Sequence, residues 1–318
     1  MRKVLFIVSL VWLTCSVVTP AKTYHFEYQK NLDVGDKAEI YITNTDGLIE
    51  IEGAPVNQIT ISAVKNVRAV DLEEAEEIAD HIEIKVKKSG RKVEVETRFL
   101  KIARMSDSFW KKLFGTGPDS FGSVDYKIIV PYNCRTEIDN LEGDIDVSGL
   151  DSEVRVSCAS GNINLSGIKG GLRIDSMGGR IEIADIVGPL DIRTTSGETE
   201  ARYIFGDIRG KSTSGDFKIG QGTGNIEIKT HSGDVRIETE LDAEGDFFVE
   251  TSSGEIHFAV PSSVSGSVKL ETESGSINTE LPLSIKQFAK NKLIGQFGVR
   301  GPRIVLRSTT GDITLGQY

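Results

Sequence analysis

The chain has 318 residues, enough for one large domain or two modest ones. Its formal net charge is −10, and an acidic chain offers no basic footprint for nucleic acid, so no nucleic-acid partner is expected. The 33 glycines and the low share of aromatic residues suit a fold with many tight turns.

The first 21 residues have the composition of a secretory signal peptide. Arg2 and Lys3 give a basic start, residues 4–18 form an apolar run, and Ala21 is a small residue at a cleavage position. Residues 1–21 are therefore predicted to be removed during export to the periplasm, the cell surface or the extracellular space. An uncleaved anchor is disfavoured because the apolar run is short for a bilayer span.

The three cysteines leave two questions open. A bacterial lipoprotein would be cut just before Cys15, but bulky Trp12 and Thr14 precede that cysteine and disfavour lipidation. Cys134 and Cys158 could form one disulfide in an oxidising compartment, although two cysteines make no disulfide scaffold.

Residues 22–130 are predicted to form a small α+β capping region. Alternating residues around Gly47 predict strands, and residues 82–100 predict a hairpin at Ser89 and Gly90. Between them, residues 71–82 predict a helix, because a candidate N-cap aspartate is followed three residues later by a glutamate. We expect this helix to cover the open end of the repeats, where unpaired strand edges invite aggregation. Its expected apolar face consists of Leu72, Ala75, Ile78 and Ile82.

An apolar loop over residues 109–123 stands apart from its surroundings. Aromatic and apolar side chains lie beside two lysines there, which suits peripheral contact with a membrane or a partner-binding tip. A short helix folded onto the repeats is the favoured alternative, since exposed apolar clusters of this size are uncommon on soluble monomers. The candidate contact residues are Phe109, Trp110, Leu113 and Phe114.

Residues 131–318 carry an internal repeat whose copies open on glycine. The first five intervals between these glycines are 18 residues, and 21, 21 and 36 follow. Two longer coils are therefore expected, near Asp242 and Ser263. The turn glycines are Gly143, Gly161, Gly179, Gly197, Gly215, Gly233, Gly254, Gly275 and Gly311, and a positive φ at a sharp corner would explain them.

Apolar and polar residues alternate after each glycine, as in Ile163, Asn164 and Leu165. A second alternating segment lies about nine residues before the first in each repeat. This period of two predicts two short strands per coil, each with one buried face. Stacked coils can bury those faces together, so the predicted fold is mainly all-β: a parallel β-solenoid, or β-helix, with coils of about 18 residues. An antiparallel meander shares the spacing, but matching residue types at equivalent positions favour the solenoid.

A small hydroxyl recurs three residues before each repeat glycine. We interpret it as an inward-facing ladder at the corner, with Cys158 standing in for a serine in a structural role. Its members are Cys158, Ser176, Thr194, Ser212, Thr230, Thr251, Thr272 and Ser308.

The repeats resemble the bacterial putative-adhesin family, which is built from a β-strand-repeat domain of unknown function. The resemblance rests on "GDIDVSG", "SGNINLSG", "SGDFKIGQ" and "SGDVRIET", on the entry strand "VDYKIIVP", and on the ending "KLIGQFGVRGPRIVLRSTTGDITLGQY". It covers roughly residues 40–318 and implies an exported β-repeat protein with adhesive or envelope roles. It carries no catalytic residues over to this chain.

The repeats offer two candidate kinds of site, one for a metal ion and one for a glycan. Corner acids such as Asp144 and Asp216 could hold Ca²⁺, but no copy reads GGxGxD, so no cofactor or metal is expected and Ca²⁺ is disfavoured. Arg155, Arg173 and Arg209 share an outward position and form a candidate binding surface for an anionic glycan or headgroup. A solvated face of ion pairs is the favoured alternative.

The predicted function is therefore a non-catalytic, adhesin-like protein that binds or scaffolds at the cell envelope. Its expected partner is an envelope component, either a glycan or a protein. Two alternatives stay open: a carbohydrate-active β-helix enzyme, either a polysaccharide lyase or a hydrolase, and an envelope-stress or signalling accessory protein.

Overall fold

The computed structural model describes residues 21–35, 37–100, 122–243 and 245–318. One helix, α1 (Leu72–Asp80), stands among strands in these ranges, and no described helix has the length and apolar character to span a membrane. The strands up to the first regular coils are β1 (Lys22–Asp33), β2 (Glu39–Asp46), β3 (Ile49–Ala54), β4 (Gln58–Ala69), β5 (Ile82–Ser89), β6 (Lys92–Phe99), β7 (Gly122–Pro131), β8 (Arg135–Glu142) and β9 (Ile145–Leu150).

The remaining strands come in pairs separated by tight corners. Most span five to nine residues, and two longer connections before β20 and β22 match the two 21-residue intervals. They are β10 (Val154–Ser160), β11 (Ile163–Lys169), β12 (Leu172–Ser176), β13 (Ile181–Val187), β14 (Leu190–Ser196), β15 (Thr199–Phe205), β16 (Ile208–Ser214), β17 (Phe217–Thr223), β18 (Ile226–Ser232), β19 (Val235–Thr239), β20 (Asp246–Ser253), β21 (Ile256–Val260), β22 (Gly266–Ser274), β23 (Ile277–Thr279), β24 (Ser284–Ala289), β25 (Lys292–Phe297), β26 (Arg303–Thr310) and β27 (Ile313–Gln317).

Each coil gives one strand to each of two long sheets. Sheet A runs β1-β4-β7-β3-β9-β11-β13-β15-β17-β19-β21-β27-β23, and sheet B runs β24-β25-β22-β26-β20-β18-β16-β14-β12-β10-β8-β2-β6-β5. Neighbouring coils pair in parallel and in the register of the repeat, with Ile163 opposite Ile181 and Val154 opposite Leu172. The parallel solenoid is confirmed, and an antiparallel meander is excluded for the repeats.

The core lies between the two sheets. Alternate residues of each strand point inward, so Ile163 and Leu165 are buried while Asn164 between them is exposed. The same column contains Thr199, which is fully buried and whose hydroxyl has no hydrogen-bond partner among the described residues. That hydroxyl is a polar group left unsatisfied inside an apolar stack.

The coils do not stack in chain order at either end of the repeats. Strands β26 and β27 insert between β20 and β22 in sheet B and between β21 and β23 in sheet A. At the other end, the β2–β3 coil lies between the later coils β6–β7 and β8–β9. The 36-residue interval therefore contains β23, the hairpin β24–β25 and the inserted strand β26, rather than two further coils in series.

Antiparallel strands and the helix cover the N-terminal end of the stack. Strand β4 pairs antiparallel with β7 and β1, while β5 and β6 form the expected hairpin. Asp71 accepts a hydrogen bond from the backbone N–H of Glu74 at 2.9 Å, as an N-cap does. The prediction that Leu72 lies on the buried face is wrong. Leu72 is 52% exposed, because the buried face of the helix is formed by Ala75 and Ile78. Both sheets continue across residue 131, so the capping region and the repeats share one core.

The repeat glycines are explained by the close approach of neighbouring coils. A Cβ on Gly161 would lie 2.2 Å from the carbonyl oxygen of Gly143, and one on Gly254 would lie 2.1 Å from that of Gly233. Gly161 also has φ = 144°, but Gly215 and Gly233 do not have a left-handed φ. The positive φ expected at every corner is thus found at only some of them, whereas the close approach is shared.

A second stack of glycines, missed in the sequence, occupies the opposite corner. A Cβ on Gly188 would lie 2.3 Å from the carbonyl oxygen of Gly170, and one on Gly206 would lie 2.2 Å from that of Gly188. At both of its corners, the backbone of a coil is therefore in direct contact with the backbone of the preceding coil. The 18-residue spacing of Gly170, Gly188, Gly206 and Gly224 was readable in the sequence.

The hydroxyl column lies beside the first glycine stack and is mostly buried. Thr251 donates to the carbonyl oxygen of Gly233 at 3.3 Å, and Ser308 donates to that of Gly254 at 3.2 Å. Ser176 donates instead to Gly178 within its own coil at 2.9 Å, and Ser212 has no partner among the described residues. Most of these side chains therefore satisfy corner carbonyls, and Asn140 does so in an earlier coil.

Candidate binding surface

The three arginines of the candidate surface lie on the outward side of sheet B. Arg155 of β10 is directly opposite Arg173 of β12, and Asp191 of β14 separates Arg173 from Arg209 of β16. Two of the arginines are therefore neighbours about 4.8 Å apart along the stack, and the third lies beyond an acidic residue.

Carboxylates within their own strands or turns hold the two adjacent guanidinium groups apart. The Nε of Arg155 contacts Glu153, two residues earlier, at 2.8 Å, and the Nε of Arg173 contacts Asp175, two residues later, at 3.0 Å. The hydrogen bond to its carboxylate raises the pKa of each guanidinium. Exposed pairs of this kind add little stability, so both arginines can exchange partners at low cost.

A shallow depression of about 230 Å³ brings Arg173 and Arg209 together. Gly171 and Pro189 form part of its lining and carry no long side chain, which leaves the backbone of this stretch accessible. The side chain of Arg209 is 72% exposed, and its nearest carboxylate, that of Glu227, is 3.8 Å away. Arg209 is consequently the more loosely paired of the two arginines that line the depression.

A second depression of about 470 Å³ adjoins the first, since Asp207 and Arg209 line both. Its distinguishing residue is Phe248, whose ring lies 5.2 Å from the Nζ of Lys229 and 5.7 Å from the guanidinium of Arg307. We call the two depressions together the sheet B groove. Its floor includes Gly171 and Pro189, and the ring of Phe248 lines one end. Its charged lining consists of the cations Arg173, Arg209 and Lys229 and the carboxylates Glu153, Asp191, Asp207, Glu227 and Asp246.

The sequence analysis did not predict Phe248 as a site residue, although its place in the repeat pattern was a usable signal. Alternation in "FFV" places Phe247 and Val249 inside, so Phe248 falls in the same outward column as Arg173 and Arg209. An aromatic residue in an otherwise charged outward column was the signal.

The corner acids have a structural use. The side chain of Asp144 accepts a hydrogen bond from the backbone N–H of Asn162 in the next coil at 2.7 Å, and Asp216 accepts one from Asp234 at 2.8 Å. Asp234 in turn accepts from the backbone N–H of Glu255 at 2.8 Å. The acids of the repeated "SGD" thus tie each corner to the next, and within the described ranges no three His, Cys, Asp or Glu side chains group as metal ligands would.

The sequence model of one protein family covers nearly all of this architecture, from residue 38, just before β2, to residue 316 in β27. The chain belongs to the Toastrack DUF4097 family. The match includes every regular coil together with the helix and the antiparallel strands β4 and β5, so the family extends beyond the 18-residue repeats.

Solved structures similar to this Toastrack chain include three bacterial proteins. A putative adhesin from Bacteroides fragilis is 11% identical and covers 91% of this chain and 97% of its own, with a TM-score of 0.45. A putative lipid binding protein from Parabacteroides distasonis is 13% identical, with coverage of 92% and 96% and a TM-score of 0.45. A putative cell adhesion protein from Clostridium sporogenes is 14% identical, with coverage of 93% and 100% and a TM-score of 0.26. No curated protein matches the chain.

Both repeat-region cysteines of this Toastrack chain are buried free thiols. Burial raises the pKa of Cys134 to about 12, and it also raises the pKa of Cys158. Such thiols are poor nucleophiles, which fits the structural role inferred for Cys158.

The remaining candidate residues lie outside the described part of this Toastrack chain. They are Phe109, Trp110, Leu113 and Phe114, together with Cys15 and the first 20 residues of the predicted signal peptide.

Proposed function

We propose that this Toastrack protein is exported to the cell envelope and acts there as a non-catalytic binding protein. The sheet B groove would receive an anionic glycan. The observation that carries the proposal is that Arg173 and Arg209 line one depression, on either side of Asp191, and that the ring of Phe248 lines the adjoining one. Guanidinium groups recognise carboxylate and phosphate oxygens in pairs, and the aromatic ring offers apolar contact to the ligand.

The protonation of the outward carboxylates supports binding rather than catalysis. Cation partners hold the pKa of Glu227 below its ordinary value, with Lys229 as the leading cause, and Lys218 does the same for Glu200. A general acid at neutral pH needs the opposite shift. Glu227 therefore suits charge pairing on the solvated face of sheet B, whereas Glu200 is buried and paired with Arg180, Arg202 and Lys218. A lyase or hydrolase is the alternative that turnover would reveal.

The test is a binding screen of the chain from Lys22 onward, which contains every described strand. Glycan arrays and anionic liposomes would be probed with and without Ca²⁺, and each bound glycan would be assayed for cleavage. We expect binding of anionic glycans without turnover, and weaker binding at higher salt.

Three variants locate the surface. Arg173→Ala and Arg209→Ala should each weaken glycan binding about 10- to 150-fold, since a charge-assisted contact contributes about 1.5–3 kcal/mol. Lys127→Ala is the matched control: its side chain is exposed and paired with Glu50 on sheet A, away from the groove. Equal loss in all three variants would point to general electrostatics, and cleavage of any glycan would overturn the non-catalytic assignment.

A further inference from the structure

An aromatic cleft of about 400 Å³ lies on the outward side of sheet A, on strands β15, β17 and β19. Its walls carry Tyr203, Phe205 and Tyr318, whose exposed fractions are 65%, 48% and 53%. Glu238 and Glu240 line it on the β19 side. Three half-exposed rings beside two carboxylates are an unusual surface for a protein whose aromatic residues make up 7% of the chain.

The backbone of Tyr203 is strained. Its φ is +56°, in the left-handed region that a bulky side chain rarely occupies. The equivalent positions in the preceding coils are Gly149, Gly167 and Asp185, whose φ values are 70°, 63° and 57°. A tyrosine at this fourth position gains little from burial, so packing does not explain it, and strain retained at an exposed aromatic residue points to function.

Two glycines leave the floor of the cleft bare. A Cβ on Gly222 would lie 2.5 Å from the Cε1 atom of Phe205, so that ring rests directly on the backbone of β17. At Gly220 an added Cβ would meet nothing closer than 3.8 Å. Glycine in a strand often marks a close approach by a ligand, and here the space above Gly220 is open while the Phe205 ring covers Gly222.

The charges around the cleft favour a cation. Arg202 also lines it, but Glu200 engages that guanidinium at 3.2 Å and engages Lys218 at 3.0 Å as well. Tyr318 lines the cleft together with both carboxylates, and partial burial, followed by the charges of Glu240 and Glu238, raises the pKa of its hydroxyl. The three rings and the two carboxylates therefore line the same space, and both kinds of group attract a cation.

We propose that the cleft formed by Tyr203, Phe205, Tyr318, Glu238 and Glu240 binds a quaternary ammonium group of the choline type. Aromatic faces attract such a cation through their quadrupoles, and the cation's methyl groups need apolar contact that a hydrated inorganic ion would not use. The carboxylates neutralise its charge. This site is on the opposite sheet from the groove for an anionic glycan and does not depend on it.

The experiment titrates the chain from Lys22 onward with choline chloride at constant ionic strength, followed by ligand-observed NMR. The probe of mechanism is 3,3-dimethylbutan-1-ol, the uncharged carbon isostere of choline. Binding of choline with the isostere about tenfold weaker supports the proposal. Equal binding of the two compounds, or preference for glucose over choline, overturns it.

Variants place the site in the cleft. Gly220→Val should abolish choline binding by filling the floor, and the space around Gly220 predicts that it folds normally by circular dichroism. Glu240→Gln should weaken binding about tenfold while keeping the shape, which tests the proposal independently of Gly220→Val. Lys127→Ala, at an exposed residue of β7 that pairs with Glu50 and does not line the cleft, is the control and should bind choline unchanged. Choline binding that survives both cleft variants overturns the proposal.

Vesicles distinguish the source of the group. Co-sedimentation with phosphatidylcholine vesicles but not with phosphatidylglycerol vesicles, lost in Glu240→Gln, identifies a lipid headgroup. Binding of free choline without co-sedimentation identifies a soluble ligand. Equal sedimentation with both lipids, unaffected by Glu240→Gln, contradicts recognition of the ammonium group.

Discussion

Replacing Gly233 by alanine tests whether the distance between coils determines the repeat glycines. The new Cβ would lie 2.2 Å from the carbonyl oxygen of Gly215 and 2.7 Å from its carbonyl carbon. Because Gly233 does not have a left-handed φ, the substitution changes contact without forcing an unfavourable backbone conformation. The corner must therefore move away from the preceding coil by roughly 1 Å to restore a normal contact.

That movement weakens the hydrogen bonds that close the corner. The N–H of Asp234 donates to the carboxylate of Asp216 in the preceding coil at 2.8 Å, and the hydroxyl of Thr230 donates to the carbonyl oxygen of Gly215 at 3.4 Å. Each bond contributes about 0.5–1.5 kcal/mol. Alanine recovers about 0.4–1 kcal/mol by restricting the unfolded chain. We expect the free energy of unfolding to fall by about 2 kcal/mol, within the range measured for overpacking.

Gly220→Ala is the matched control, because a Cβ there meets no atom closer than 3.8 Å. We expect it to leave the free energy of unfolding unchanged or to raise it by about 0.5 kcal/mol. Urea unfolding followed by far-UV circular dichroism measures both variants. A Gly233→Ala protein as stable as the wild type, or equal losses at the two positions, would refute the explanation by close approach.

Three further predictions concern other sites. Thr199→Val should raise the free energy of unfolding by about 1 kcal/mol, because it removes a buried hydroxyl that has no described partner, and a lower urea midpoint would contradict this. Lys269 and then Lys292 lower the pKa of Glu271 to about 2 from its ordinary 4.5, so this carboxylate stabilises the fold above pH 4.5 and loses that effect as the pH falls towards 2. Glu271→Gln should therefore lower the free energy of unfolding by about 1 kcal/mol at pH 7, after allowance for solvent screening. The difference from wild type should shrink by pH 3. The same change at exposed Glu273 should have little effect on the free energy of unfolding at either pH. Cys134 and Cys158 should react with Ellman's reagent only after unfolding, since burial keeps both thiols protonated, and rapid labelling of the native chain would contradict the buried placement.

The middle of the fold was predictable because its signal is repeated. Ile163, Ile181 and their equivalents recur at a fixed spacing, and a single slip in register would move every buried side chain to the outside. The order of the end coils was not predictable in the same way. Ile277 and Ile313 both follow a corner glycine and open a strand, so the first apolar position of the repeat accepts either as the neighbour of Ile256.

The candidate sites show a similar division. The repeat places Arg155 next to Arg173, and the structure has them adjacent. The depression beside Arg173 exists because Gly171 and Pro189 have no long side chain to fill it. The alternation of apolar and polar residues does not reveal such a gap in the sequence. Aligning Tyr203 with Gly149 and Gly167 would have predicted its positive φ. The alternation of apolar and polar residues predicts only which face of the sheet a side chain lies on.

The inserted position of strands β26 and β27 has a consequence for biosynthesis. The strands on either side, β20 and β22 in one sheet and β21 and β23 in the other, are made earlier and have no partner on their facing edges until residues 303–317 emerge. The stack therefore cannot be completed vectorially, one coil after another, as the chain leaves the ribosome or a translocation channel. A chain shortened before Arg303 would keep most of its coils and still present two facing open edges, a ready target for proteases and for other copies of itself.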